Sequence, residues 1–324
     1  MSLLLSIIIP VYNVEKYIRT CIESIFCQDL SEDYFEVIII NDGSTDNSIE
    51  VISDIIQKHH NIAVVNQENK GISVARNNGI QMAKGEYILM PDSDDLFVNH
   101  SLKRLLNVII ERKPDLLVTS FKQMNNNEIE DFKKKQLQQP QFIIEEKTGR
   151  ELFYEELPNL CFVWRVFYKR RFILENNLSF VPGIYVQDKP FIHECYLKAN
   201  KCIKTSQIMY IYRRGHYSAS SSFSKKYVKD YFTSLSKTWF LTEIEELPEN
   251  IKTKIKDNVF TMLSQFIWIL IHDKKYSEKK IEYIDLLKPF LPQFKFEHGL
   301  KQKFISFILN TAPHTYLRIR SLFT

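Results

Sequence analysis

Three aspartates within four residues are the part of this sequence best suited to do chemistry. Asp92, Asp94 and Asp95 directly follow an apolar segment, Tyr87–Met90, that has the composition of a buried strand. Carboxylates two positions apart on a turn can converge on one hard cation, and Mg²⁺ and Mn²⁺ prefer such oxygen ligands. A calcium loop does not fit, because Leu96 stands where that loop needs an oxygen ligand. The pattern predicts a metal or catalytic role, with simple turn capping as the alternative.

Other polar clusters follow further apolar segments in the first third of the chain: Tyr12-Asn13, Asp42-Gly43-Ser44 and Asn66-Gln67. The segments that precede them are rich in β-branched residues and alternate with segments of helical period. This order predicts an α/β fold with a doubly wound, mainly parallel sheet. Ligands bind beyond the carboxyl ends of the strands in such sheets, so the clusters are predicted to meet at one edge.

Local signals predict where several elements begin and end. Asn13 is positioned to cap the first helix, and Ser44 or Thr45 to cap the second. Residues 121–149 are polar and rich in Gln, Asn and Lys, which indicates an exposed loop or hairpin. The doublet His59-His60 is predicted to end a helix and to be solvated.

From about Lys225 onward the pattern turns helical, which predicts a C-terminal α-helical extension. Trp239 and Trp268 lie among apolar residues at helical spacing and are predicted to be core residues. The segment 301–324 is basic and partly apolar. Such a segment is either a solvated helix face or an amphipathic helix that contacts anionic lipid.

Composition excludes several classes of protein. The 324 residues include 44% hydrophobic and 25% charged side chains, as is ordinary for a globular protein. Residues 1–120 carry net negative charge and residues 121–324 net positive charge, which argues against a nucleic-acid binder. No apolar run reaches the roughly 18–20 residues of a membrane span, and no signal peptide is apparent. The five cysteines lack metal or disulfide spacing and are predicted to be reduced, buried thiols of a cytoplasmic protein.

Four motifs in order resemble the opening of family 2 glycosyltransferases of the GT-A fold: Ser6–Asn13, Glu36–Asp46, Asn69–Gly79 and Gly85–Asp95. Neither a dinucleotide-binding GxGxxG nor a P-loop accompanies them. The strong resemblance covers residues 4–98, with weaker similarity to about residue 222. It implies a GT-A catalytic domain at 1–222, with a nucleotide-binding half at 1–98 and an acceptor half at 99–222. The helical extension then occupies 223–324.

The resemblance implies transfer of a sugar from a nucleotide-sugar, usually UDP-linked, with inversion at the anomeric carbon. The implied nucleotide-binding residues are Pro10, Val11, Tyr12, Asp42, Arg76 and Asp92. The implied ligands of Mn²⁺ or Mg²⁺ are Asp94 and His216, with Asp95 supporting the turn or touching the donor sugar. Arg213 and Arg214 are implied to neutralise the diphosphate, with a solvated basic turn as the alternative. Trp164 is implied to line the acceptor side, with a buried structural role as the alternative. Asp188 is implied to be the general base, whereas the alternative is that it caps the following helix.

Gln187 departs from the family pattern, which has Glu before the catalytic Asp. A non-catalytic nucleotide-sugar or glycan-binding homologue therefore stays an alternative. A sugar-nucleotide nucleotidyltransferase is a second alternative, disfavoured because Pro10-Val11-Tyr12-Asn13 contains no glycine. Acceptors in the family are glycans or sugars on polyprenyl carriers, so peripheral contact with the inner face of the membrane is a further expectation.

Overall fold

The structure is a computed structural model that describes residues 3–134, 137–156, 161–215, 224–272 and 280–294. The chain divides into two compact units. The first unit comprises Met1–Phe153, Cys161–Gly183 and Glu194–Tyr217, and the second comprises Tyr154–Leu160, Ile184–His193 and Ser218–Thr324. The sequence-based division into a catalytic domain at 1–222 and a helical extension at 223–324 stays a prediction.

The first unit is built on one sheet. Its strands in the described residues are β1 (Leu5–Val11), β2 (Phe35–Asn41), β3 (Ile62–Asn66), β4 (Tyr87–Leu89), β5 (Leu96–Phe97), β6 (Leu116–Asn125), β7 (Ile144–Lys147), β8 (Val166–Lys169) and β9 (Cys202–Arg214). Their order across the sheet is β3-β2-β1-β4-β8-β6-β9-β5, and β7 also pairs with β9. The first four strands are mutually parallel, while β8 joins them to the rest through antiparallel pairs.

Helices alternate with the first strands, as the sequence predicts. The described helices are α1 (Ile18–Phe26), α2 (Ser53–Lys58), α3 (Ile72–Met82), α4 (Leu102–Arg112), α5 (Asn126–Lys134), α6 (Gly149–Glu156), α7 (Arg170–Glu175), α8 (Asp188–Lys198), α9 (Lys225–Phe240), α10 (Glu249–His272) and α11 (Lys280–Leu287). Short 3₁₀ turns accompany them, including one at Glu50–Ile52 directly before α2.

Strands β1, β2 and β4 are largely buried because their side chains are apolar on both faces, whereas the edge strand β3 is only partly buried. All seven residues of β1 are buried, as expected for a strand covered on both sides. Helix α3 approaches β1 so closely at Gly79 that a Cβ there would lie 2.2 Å from Cγ2 of Ile8. Glycine at this position therefore permits the tight packing that fixes α3 against the centre of the sheet.

Strand β9 holds the second half of the sheet together. It pairs in parallel with β6 and antiparallel with both β5 and β7. The prediction of an exposed loop or hairpin at 121–149 is wrong in part, since β6 continues to Asn125 and α5 and β7 follow. The polar half of β6 forms a strand because it pairs with β9, which its composition does not reveal.

The second unit has an apolar core of its own, formed by residues of α9, α10, α11 and the turn after α11. Trp239 is buried in this core, as predicted. The prediction for Trp268 is wrong, because 54% of its surface is exposed. Helical spacing places Trp268 near an apolar stripe, but the buried residues Val259, Phe266 and Leu270 lie on another side of α10.

Two smaller expectations need correction. Cys21, Cys195 and Cys202 are buried free thiols, but Cys27 is exposed and Cys161 partly exposed. His59 is not solvated, because its ring stacks on Phe26 and its Nδ1 lies 2.6 Å from Oε1 of Glu32.

Within the described residues, every helix is too short or too polar to cross a bilayer. The basic segment 301–324, where lipid contact is predicted, lies outside the described residues.

Candidate functional site

The predicted nucleotide-binding residues gather at one edge of the sheet. Strands β1, β2, β3 and β4 run in parallel, so their carboxyl ends share that edge. Pro10 and Val11 are the last two residues of β1 and are buried, and Tyr12 follows with 47% of its surface exposed. Asp42 comes directly after β2, and Asp92 lies three residues beyond β4. The strand pairing thus brings these side chains to the same edge, as the sequence predicts.

Asp42 is buried and fastens the loop that leads into α3. Its Oδ1 accepts hydrogen bonds from Nε2 of Gln67 and from the backbone N–H of Lys70, at 2.7 and 2.8 Å. Its Oδ2 accepts a third from the backbone N–H of Gly71 at 2.8 Å. Gly71 has a φ of +86°, a conformation that glycine adopts without strain. The Asp42 carboxylate therefore has a structural task in addition to its predicted contact with a base.

The loops after β1 and β2 are joined by side-chain hydrogen bonds. The backbone N–H of Thr45 donates to Oδ1 of Asn13, that of Val14 to Oγ of Ser48, and that of Glu15 to Oδ2 of Asp46, at 2.8, 2.8 and 3.0 Å. The capping predictions for Asn13, Ser44 and Thr45 are wrong, because α1 begins only at Ile18 and α2 at Ser53. Short polar side chains bond equally well to a neighbouring loop, and here they do so.

The segment Asp92–Asp95, which we call the acidic loop, brings three carboxylates together. Oxygens of Asp92, Asp94 and Asp95 lie within 4.8 Å of one another. Such hard oxygen donors fit Mg²⁺ or Mn²⁺, so the residues present suit the metal that the resemblance implies. The hydroxyl of Tyr210 accepts a hydrogen bond from the backbone N–H of Asp92 at 2.9 Å and so anchors the start of the loop.

The acidic loop is a region of concentrated negative charge. Burial, followed by the charges of Asp94 and Asp92, raises the pKa of Asp95 well above its ordinary value. Burial also raises the pKa of the Cys21 thiol and of the Tyr210 hydroxyl, and the nearby carboxylates add to both shifts. Like charges held this close are costly without a counter-charge, which is what a bound cation supplies.

Arg76 lies beneath the acidic loop and is almost completely buried. Its Nη2 donates to Oδ1 of Asp92 at 2.6 Å, and its guanidinium lies over the ring of Phe180 at 5.3 Å. Only 1% of the Arg76 side chain is exposed, against 28% for Asp92. Arg76 is therefore close to the predicted nucleotide residues, with its charge directed at a carboxylate.

The two arginines predicted to contact a diphosphate differ in their surroundings. Arg213 is buried, and its guanidinium bonds the backbone oxygen of Asp94 at 2.7 Å and Oδ1 of Asn126 at 2.6 Å. Arg214 is exposed, with its guanidinium 5.5 Å from the centre of the Tyr212 ring. His216, the third predicted residue of this segment, lies outside the described residues.

Trp164, predicted to line the acceptor side, is a core residue. Its ring stacks on those of Tyr210 and Phe162, with centroids 4.3 and 4.7 Å apart, and meets Phe121 edge-on at 4.9 Å. With 1% of its surface exposed, the indole supports its neighbours and presents almost no surface to a ligand.

Asp188 belongs to the second unit and is the first residue of α8, where the helix dipole favours a negative charge. Its Oδ1 accepts a hydrogen bond from Nε2 of Gln187, a buried side chain. The preceding turn is fixed by Asp230, whose Oδ2 accepts from the backbone N–H of Tyr185 at 3.2 Å. The amide of Gln187 thus donates to the predicted base, which a glutamate at this position would not do in its ionised form.

Gln67, which contacts Asp42, belongs to a polar cluster that the sequence predicts at this edge, whereas sequence reasoning missed the roles of Asn126 and Tyr210 in positioning the site. A usable signal exists for Tyr210, since a tyrosine in an apolar strand needs a partner for its hydroxyl. No signal marks Asn126, which becomes a neighbour of Arg213 only through the pairing of β6 with β9.

Comparisons with known proteins show the family to which the chain belongs. The model of the family described as glycosyl transferase family 2 matches residues 6–174. The chain is 32% identical over 212 residues to the uncharacterized glycosyltransferase EpsJ of Bacillus subtilis (strain 168), covering 65% of this chain and 61% of EpsJ. It is 31% identical over 220 residues to the glycosyltransferase GlyG of Streptococcus pneumoniae serotype 4, covering 66% of this chain and 72% of GlyG.

A solved structure matches over nearly the whole chain. The crystal structure of S. aureus TarS 1–349 in complex with UDP-GlcNAc has a TM-score of 0.69 at 20% identity. The match covers 97% of this chain and 92% of that one. At this identity the likeness shows the fold, and it confirms the predicted GT-A-like sheet with C-terminal helices. Taken with the family match over more than half of the sequence, these findings establish that the chain belongs to glycosyl transferase family 2.

Proposed function

We propose that this chain is an inverting glycosyltransferase that moves a sugar from a nucleotide-sugar to a hydroxyl of a glycan or lipid-linked acceptor. The observation that carries the proposal is the convergence of three carboxylates after β4, at the edge where parallel sheets bind ligands. Family membership supports glycosyl transfer. The UDP-GlcNAc complex of TarS supports a UDP-sugar as the first donor to test.

The nucleotide end of the donor is assigned to the residues after β1 and β2. In this proposal Pro10, Val11 and Tyr12 line the base pocket, and Asp42 accepts the imide N–H of uracil. Oδ2 of Asp42 accepts one hydrogen bond within the described chain, from Gly71, and a carboxylate oxygen has room for a second. Asp42 can therefore fasten the loop and contact a base at the same time.

The diphosphate end of the donor is assigned to the acidic loop. Asp94, with a neighbouring carboxylate, would hold Mn²⁺ or Mg²⁺, while Asp92 would contact ribose. When bound, the metal supplies positive charge for the leaving diphosphate. Arg76 fixes the Asp92 carboxylate by a buried charge-assisted hydrogen bond, which keeps this ligand-binding group in one orientation. Arg214, exposed at the end of β9, and His216 are the further predicted contacts with this end of the donor.

Asp188 is assigned the general base. An acceptor hydroxyl is a weak nucleophile, so a carboxylate within hydrogen-bond reach must accept its proton as the bond to the anomeric carbon forms. The amide of Gln187 donates to Oδ1 of Asp188 and so helps to fix the orientation of that carboxylate. Gln187 in place of the family glutamate is thus compatible with catalysis.

A turnover assay tests the proposal. The purified chain is incubated with Mn²⁺, a donor panel of UDP-GlcNAc, UDP-glucose and GDP-mannose, and polyprenyl-diphosphate-linked N-acetylglucosamine as acceptor, and nucleotide release is measured. We expect release with a UDP-sugar, and we expect Asp94→Ala and Asp188→Asn each to reduce it by about 10²–10³-fold. Glu111→Gln, on the exposed face of α4, is the matched control and should retain wild-type turnover. Unchanged turnover in both site variants would refute the mechanism.

Two alternatives give distinct results in the same experiment. A non-catalytic homologue would bind UDP without hydrolysis or transfer from any donor. A nucleotidyltransferase would instead release pyrophosphate from a nucleoside triphosphate and a sugar phosphate.

The proposal extends to contact with a membrane surface through residues 301–324, which carry basic residues and no acid. The test is binding to vesicles of phosphatidylglycerol and phosphatidylcholine with and without this segment. Equal binding by the full chain and the shortened chain would remove this part of the proposal.

A further inference from the structure

Arg213 makes an unusual number of contacts for one side chain at the end of a strand. Its backbone N–H donates to Oδ1 of Asp95 at 2.7 Å, and its Nε donates to the backbone oxygen of Asp94 at 2.7 Å. Its Nη1 donates to Oδ1 of Asn126 at 2.6 Å, and its guanidinium lies 4.9 Å from the centre of the Tyr17 ring. One residue therefore joins the acidic loop to the starts of α5 and α1.

These contacts act on two residues of the acidic loop, the partly buried Asp94 and the buried Asp95. The bond to the Asp94 carbonyl fixes the backbone from which that carboxylate projects, and the backbone N–H holds one oxygen of Asp95. The positive guanidinium also offsets part of the repulsion among three clustered carboxylates. A planar guanidinium suits this task, because its donors point in fixed directions within one plane.

We propose that Arg213 is a positioning residue for the acidic loop, acting on metal binding through Asp94 and Asp95 and not by touching the diphosphate. This inference rests on the proposed function, since it concerns the metal site assigned there. It replaces the role that sequence resemblance implies for Arg213, because only 7% of its surface is exposed and its Nε and Nη1 already bond the loop and Asn126. Arg214 remains the arginine of this pair with an exposed charge.

The experiment compares ligands that do and do not carry phosphate. Dissociation constants for uridine and UDP are measured by calorimetry with and without saturating Mn²⁺ for wild type, Arg213→Gln, Arg213→Lys and Asn126→Ala. Asn126→Ala removes one anchor of the guanidinium but leaves the charge of Arg213 in place. Lys122→Gln, an exposed position on β6, is the control for loss of one positive charge. Hydrogen exchange of residues 91–97 is followed in parallel.

For a positioning role we expect Mn²⁺ to tighten UDP binding about tenfold less in Arg213→Gln than in wild type, and about two- to fivefold less in Asn126→Ala. Binding of uridine, and of UDP without metal, should stay within about twofold. Exchange in residues 91–97 should be faster in both variants and unchanged in Lys122→Gln. Arg213→Lys should resemble Arg213→Gln, because an ammonium group cannot reproduce the planar arrangement of donors.

Other results overturn the inference. Arg213 would be a diphosphate ligand if Arg213→Gln weakened metal-free UDP binding, while Asn126→Ala left UDP binding unchanged and neither variant changed uridine binding. If Mn²⁺ does not tighten UDP binding in wild type, the metal part of the proposed function fails, and hydrogen exchange still decides on Arg213. Unchanged exchange in both variants would then reject the positioning role. If Arg213→Gln does not fold, Asn126→Ala and Arg213→Lys decide the question alone.

Discussion

The acidic loop and the Gln187–Asp188 pair are both centred on aspartates, yet their surroundings differ. In the acidic loop the oxygens of three carboxylates lie close together. Arg76 bonds the carboxylate of Asp92, while Tyr210 and Arg213 bond the backbone of the loop. At the start of α8 one carboxylate receives an amide N–H from its chain neighbour. Clustered carboxylates suit a proposed cation site, whereas a carboxylate at a helix start suits a proposed general base.

The contrast teaches that the two aspartate regions should fail in different ways when altered. Under the proposed function, a variant in the first region should change what binds, and a variant in the second should change how fast bound substrate reacts.

Replacing one aspartate in each region should give the largest effect and the clearest separation. We expect Asp188→Asn to lower kcat by about 10²–10³-fold while UDP binding in Mn²⁺ stays unchanged. Asp94→Asn should lose the Mn²⁺-dependent part of UDP binding. Turnover and calorimetry on the same preparations measure both, and equal loss of UDP binding in the two variants would contradict the division of roles.

Removing the buried cation beneath the acidic loop should cost stability. Arg76→Ala leaves Asp92 without its charged partner, so we expect a loss of about 3 kcal/mol in the free energy of unfolding. The exposed Arg214→Ala should cost less than about 0.5 kcal/mol. Urea unfolding followed by tryptophan fluorescence measures both. Similar small values for the two variants would show that the acidic loop does not depend on Arg76.

Acid should weaken the region around α8 through His193. Burial, followed by the charge of Lys189, lowers the pKa of His193 to about 3, below its ordinary value of 6.5. The unfolded chain therefore takes up a proton that the folded chain rejects, so stability is full above pH 6.5 and falls as the pH drops from there toward 3. We expect this group to cost about 2–3 kcal/mol at pH 4.5.

The measurement is the difference in unfolding free energy between pH 7.5 and pH 4.5, in wild type and in His193→Leu. The variant should lose less stability on acidification, whatever its stability at pH 7.5. An identical loss in both proteins would show that other groups cause the acid sensitivity.

The smallest effect is expected at Gln187. Gln187→Ala removes the amide donor to Asp188, so kcat should fall about three- to tenfold with the donor KM unchanged. Gln57→Ala, an exposed glutamine on α2, is the matched control. A change in donor KM at constant kcat would instead assign Gln187 to donor binding, which would contradict the proposed difference between the two regions.

Much of the first half of the fold can be predicted from the sequence, because most of its strands are apolar on both faces. The apolar segments that precede Tyr12 and Asp42 are observed as the strands Leu5–Val11 and Phe35–Asn41. The second half is harder to predict, because the polar end of β6 forms a strand only through its pairing with β9. Trp268 shows the same limit in a helix, since periodicity alone does not say which apolar side is covered.

The same distinction between local and distant contacts applies to the site. The convergence of Asp92, Asp94 and Asp95 could be predicted, because these residues lie within four positions on one turn. The partners of these residues could not, since Asp95 and Arg213 are 118 positions apart and meet only in the completed sheet. Asn13, Ser44 and Thr45 were predicted as caps because their chemistry permits it, and the choice of partner depended on a neighbouring loop.

The position of β9 has a consequence for the order in which the molecule assembles. The four parallel strands lie within the first 89 residues and can pair early during synthesis, whereas β5 pairs only with β9 among the described strands. Contacts of such long sequence separation form late, because closing a long chain segment costs entropy before any contact is gained. The acidic loop lies between β4 and β5. Its final geometry therefore forms among the last steps of folding, after a ribosome has released the chain beyond residue 214.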